Sequence, residues 1–116
     1  MNKCILIGRL TRDPETRYTA GQMAVANFTL AVDRIKKTED KAADFIKCAA
    51  FGKLAENVQT FTHKGDMVGV EGAITTGSYT DKNGATVYTT EVIADRVEFL
   101  ERKRKTDETN TDFLPF

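Results

Sequence analysis

Few residues of this chain could do covalent chemistry. His63 is the only histidine and Ser78 the only serine in 116 residues. A zinc site needs several His, Cys or carboxylate ligands at close spacing, and a nucleophilic triad needs Ser, His and an acid held together. Neither pattern surrounds these two residues, and His63 reads as an exposed side chain near a helix C-terminus. Asp13 and Glu15 are paired carboxylates, but Pro14 between them makes them turn residues before an acid/base pair. Cys4 and Cys48 show no metal or disulfide spacing and read as small buried hydrophobes. There is no GxGxxG and no P-loop. The sequence therefore reads as a non-enzyme with no cofactor and no metal.

A second set of residues has a different use. In "DFIKCAAF", Ile46, Cys48 and Ala50 fall on one face of a strand, and Phe45, Lys47, Ala49 and Phe51 on the other. The first set is a core face. The second places two rings and an ammonium where a simple strand would be polar. With Tyr79 in the 75–86 segment, this is what single-stranded nucleic acid requires: rings for the π-faces of unpaired bases, and cations for the phosphates. Arg9, Arg34, Lys36, Lys37 and Lys82 lie in strands or loops that could flank such a platform. On pattern alone, Phe45 and Phe51 could equally be core or subunit-interface residues.

These side chains need elements to hold them. Length and composition fit one globular domain: 41% hydrophobic, 29% charged, formal net charge zero. Neutrality does not exclude nucleic acid, because charge can be segregated. Residues 1–37 hold seven basic and three acidic side chains. No apolar run reaches the ~20 residues of a membrane span, and the N-terminus lacks signal-peptide features, so a cytoplasmic protein is expected. "CILIGRL", ended by Asp13-Pro14, reads as the first strand. "AVANFTLAV" is the second, with Ala26, Phe28, Leu30 and Val32 on one face. After a polar loop over 34–43, "DFIKCAAF" is the third. "GKLAENVQTFTHKG" breaks the β rhythm. Leu54, Val58 and Phe61 recur at helical spacing, and Gly65 stands where a C-terminal cap belongs. "DMVGVEGAI" follows, then a hairpin turning at Asn83-Gly84, and "VIADRVEFL". Five strands with one helix between the third and fourth predict an all-β, five-stranded Greek-key OB-fold barrel, ahead of an SH3-like barrel or a mixed α+β sheet. Periodicity stops after residue 101, which predicts a flexible tail.

"NKCILIGRLTRDPETRYTAGQMAVANFTLAV", "DFIKCAAFGKLAENV", "HKGDMVGVEGAI" and "SYTDKNGATVYTTEVIADRVEFL" together resemble the bacterial single-stranded-DNA-binding protein family, over nearly all of residues 2–100. The final "DFLPF" resembles that family's C-terminal partner-binding tip. The resemblance implies an OB-fold homotetramer that wraps single-stranded DNA without sequence preference and protects it in replication, recombination or repair. It puts Phe45, Phe51 and Tyr79 at base-stacking positions, and Ile35 at another, where an aliphatic side chain can pack on a base but not overlap it. Positions 45 and 79 are often tryptophan in the family, and this chain has none. The implied organisation is an OB domain over 1–101, a short linker over 102–111, and a tip, Asp112, Phe113, Leu114, Pro115 and Phe116, that recruits DNA-processing proteins. The alternative is an OB-fold interaction module of primosome or competence type with weak DNA binding.

Overall fold

The computed structural model describes residues 1–35 and 42–101. Its elements run β1 (Cys4–Leu10), β2 (Glu15–Tyr18), β3 (Ala24–Asp33), β4 (Ala43–Phe51), α1 (Lys53–Phe61), β5 (Met67–Thr80) and β6 (Thr86–Glu101). Within the sheet the order is β1-β5-β6-β4-β3-β2, and a further β1–β3 pairing at Arg9↔Ala31 and Leu10↔Leu30 closes it into a ring. Five strands make the ring, and all neighbours are antiparallel except β4 and β6, which pair in parallel at Cys48↔Val92 and Ala49↔Ile93. This is the expected OB barrel with its single helix. Closure needs a close approach at Gly8: a Cβ there would sit 2.6 Å from the Ala31 carbonyl oxygen, so a larger residue would push β1 off β3.

The sixth strand is a correction. From the sequence, Asp13-Pro14 ends the first strand and Glu15 is a turn residue. The break is real, but pairing resumes directly after it, with Glu15↔Asn27 through Tyr18↔Ala24. β1 and β2 thus share one edge of β3, while β4 occupies the other along Val25–Asp33. "ETRY" is short and mostly exposed. It has no apolar alternation to announce it, and the neighbouring edge of β3 makes it a strand.

The helix is also shorter than expected. It ends at Phe61, and Thr62 turns extended at φ −120°, ψ 149°. The Thr62 backbone N–H and hydroxyl both donate to the Val58 carbonyl, at 3.1 and 2.5 Å, which closes the helix without glycine. Gly65, at φ +90°, serves the turn into β5 instead, where its N–H donates to the Leu10 carbonyl at 2.8 Å. His63 consequently lies beyond the helix, its N–H donating to the Asp66 carboxylate at 2.9 Å.

The interior follows the alternation of β3. Ala26, Phe28 and Leu30 face inward with Leu10, Cys48, Ala50, Val68, Val70, Val92 and Ala94, and Ala55 and Val58 of α1 complete the cluster. Val32 and Ile46 pack against it, part-buried. Phe61, expected on the helix's apolar face, is about half exposed and meets Phe99 with ring centroids 6.0 Å apart.

Candidate nucleic-acid interface

The pleat of β4 decides which side chains leave the barrel. Cys48 and Ala50 turn inward and are buried, so Phe45, Lys47 and Phe51 turn outward. Phe45 is 70% exposed and Phe51 42%, so neither is a core residue of this chain. Ala49, on the same outer side, is buried. Across the sheet Lys47 stands opposite Thr29, Phe45 opposite Ala31, and Phe51 opposite Val25.

β4 and β6 are in register only near Cys48 and Ala49. Nearer the N-terminus of β4 the two strands diverge, and an open groove lies between them, lined by Phe45, Lys47, Tyr79, Val87 and Tyr88 among others. Tyr79 projects from the long β5–β6 ribbon, opposite Val87, and is 57% exposed. A second open groove lies on the other side of Phe45 and Lys47, toward the β1–β2 link, and includes Arg12, Glu15, Asn27 and Glu91. Phe45 and Lys47 line both grooves, which therefore adjoin along these two side chains. Rings projecting from a rigid sheet beside an ammonium can stack bases and follow phosphates at little ordering cost.

The remaining sequence candidates divide. Ile35 is fully exposed just past β3. Lys82 is exposed in the turn after Tyr79, where Asp81 accepts from the backbone N–H groups of Asn83 and Ala85 at 2.9 Å. Arg34 is tied down, giving two hydrogen bonds of 3.0 and 2.7 Å to Asp44. Arg9 shares the Phe45 row through Ala31, but its guanidinium binds the Gly65 carbonyl at 2.9 Å and Glu101 at 2.8 Å. Lys36, Lys37 and residues 112–116 lie outside the described residues.

The candidates for covalent chemistry have structural employment. Asp13 accepts the Lys64 backbone N–H at 2.8 Å, linking the β1–β2 corner to the α1–β5 turn. The Cys48 thiol is pushed up to about 12 by burial, with Cys4 and Glu91 adding to the rise, so it stays protonated and a poor nucleophile near neutral pH. Among the described residues no group of three or more His, Cys, Asp or Glu is arranged to hold a metal ion. Among them, too, no helix is long and apolar enough to cross a membrane.

Sequence reasoning missed Arg12, Asn27, Tyr88 and Glu91 as lining residues. Tyr88 is 81% exposed, and its place in "VYTT", across the Asn83-Gly84 turn from Tyr79, was the available signal. Arg12 carried none, because its position depends on how β2 docks.

A closed barrel of five strands with one helix, from whose outer face Phe45, Lys47 and Phe51 project, defines an OB-fold protein. The model of the single-strand binding protein family matches residues 1–100, and the chain belongs to that family. It is 50% identical over 105 residues to single-stranded DNA-binding protein 2 of Listeria monocytogenes, covering 89% of this chain and 66% of that one. It is 47% identical over 109 residues to the single-stranded DNA-binding protein of Lactiplantibacillus plantarum, covering 92% and 54%. With single-stranded DNA-binding protein 1 of Staphylococcus aureus it shares 49% over 109 residues, covering 92% and 70%. The chain thus spans between about half and seven tenths of the length of these relatives.

Proposed function

We propose that this protein binds single-stranded DNA without catalysis and largely without regard to sequence, covering it in replication, recombination or repair. The observation that carries this reading is the exposed Phe45–Lys47–Phe51 face, joined to Tyr79 by one groove, on a barrel of the single-strand binding family. Rings stack any base, and lysines such as Lys47 and Lys82 meet phosphates common to every strand, so the chemistry discriminates strandedness and not sequence. A displacement assay tests it. Unlabelled single strands of differing sequence should all release a bound labelled oligonucleotide at comparable concentrations, while duplex of equal length should not. Release by duplex as effective as by single strand would reject it.

The same reading includes a homotetramer. From Cys4 to Ile7, β1 pairs only with β5 among the described residues, leaving one strand edge open. Ile5 is 72% and Ile7 56% exposed, and both share a surface with Leu100, Glu71 and Arg96. An open edge flanked by exposed isoleucines favours pairing with a second copy. Light scattering at micromolar concentration should give about four times 12.9 kDa. A monomer mass at every concentration would remove a wrapping mechanism.

The segment Asp112–Phe116 completes the reading as a site for DNA-processing proteins. Its rings and leucine suit an apolar pocket, Pro115 limits its freedom before binding, and Asp112 suits a basic rim. Deleting 112–116 should leave single-strand affinity unchanged or slightly raised and the thermal midpoint unmoved, while capture of DNA-processing enzymes is lost. Phe116→Ala alone should produce most of that loss. A truncated chain that keeps its partners would show the segment to be idle.

A further inference from the structure

The arginines that the sequence singles out are committed within the fold, and two that it passes over are not. Arg9 and Arg34 each give short hydrogen bonds to a carboxylate, Glu101 and Asp44. Arg12 makes no hydrogen bond among the described residues; its one ion pair, with Glu15, is stretched to 4.0 Å with the two side chains 74% and 76% exposed. The Arg17 side chain has neither a hydrogen bond nor an ion pair among the described residues. Both belong to the β2 side of the sheet, Arg12 in the link before the strand and Arg17 within it.

Their positions bracket the platform. Arg12 lines the groove that contains Phe45 and Lys47. Arg17 pairs across β2–β3 with Val25, and Val25 pairs across β3–β4 with Phe51. One uncommitted arginine therefore shares a groove with Phe45, and the other shares a cross-strand row with Phe51. A strand whose bases rest on these rings must carry its phosphates along their flanks. A guanidinium offers phosphate a planar, bidentate set of donors, and one without a short internal bond has little to break before giving it.

We propose that Arg12 and Arg17 form a phosphate-binding rim along β2 that holds the DNA backbone beside the Phe45–Phe51 platform. The inference rests on the single-strand-binding reading above and adds which cations serve it. It is tested on the full chain with labelled oligo-dT, by measuring affinity across a series of salt concentrations for wild type, Arg12→Ala, Arg17→Ala and the double variant. Each lost phosphate contact should flatten the log–log salt dependence by about 0.7 and weaken binding about 5-fold at 0.1 M salt, with the double variant losing about 1.4 and about 25-fold. Arg12→Lys and Arg17→Lys should restore most of the slope. A double variant with the wild-type slope would overturn the rim even if its affinity fell, because a structural disturbance of the face does not change the number of ions released. Failure of the wild-type chain itself to bind would overturn the rim together with the reading beneath it.

Discussion

Phe45→Ala should weaken single-strand binding by about 1–3 kcal/mol, roughly 5- to 150-fold, with the fold intact. The ring is 70% exposed and lies outside the buried cluster, so the barrel loses little when it goes. What is lost is the surface on which a base can lie, at the point where both grooves meet. Phe45→Tyr, which keeps the π-face, should bind nearly as wild type. Anisotropy titration of a labelled oligonucleotide, run beside a thermal melt, reads both quantities. Unchanged affinity would move the stacking site elsewhere, and a collapsed melt would make the ring a structural one.

Phe28→Ala should do the reverse. Phe28 points inward from the neighbouring strand, is 4% exposed and pairs in register with Cys48. Removing a buried ring takes away its transfer free energy and leaves a cavity that the barrel cannot easily close, a cost of roughly 3–5 kcal/mol. The cost should appear as a lower midpoint in denaturant at fixed protein concentration, since assembly would make the midpoint concentration-dependent. Refolded by stabilising solutes, the variant should still bind single strands, because Phe28 is nearly fully buried and offers no exposed ring for a base to stack on. A variant as stable as wild type would mean that the barrel interior is not what holds the fold.

These opposite expectations come from adjacent strands whose alternation could be read in the sequence. "AVANFTLAV" and "DFIKCAAF" each separate an inward set from an outward set, and the structure buries the inward Ala26, Phe28, Leu30, Cys48 and Ala50 while leaving Phe45, Lys47 and Phe51 exposed, although Val25 and Ala49 of the outward sets are also buried. The helix and the Asn83-Gly84 hairpin were legible because apolar spacing and turn chemistry are local signals. β2 was not, because four polar, exposed residues become a strand only when the edge of β3 is beside them. The helix end was misplaced for a related reason: Gly65 looked like a cap, but the Thr62 hydroxyl had already closed the last turn. Cations were the least legible. Whether Arg9, Arg12 or Arg34 is available to a ligand depends on which carboxylate lies within reach of its guanidinium, and that partner is 92 residues away for Arg9, three for Arg12 and ten for Arg34.

The function proposed for the outward face of β4 and the β5–β6 ribbon is binding of DNA whose bases are unpaired. Titrating the full chain with oligo-dT and with duplex of equal length, each at a low and a high salt concentration, tests this most directly. Tight binding to the single strand that weakens as salt rises, with duplex bound far more weakly at both concentrations, is the predicted result. Weak binding to both, or equal binding to both, would contradict it.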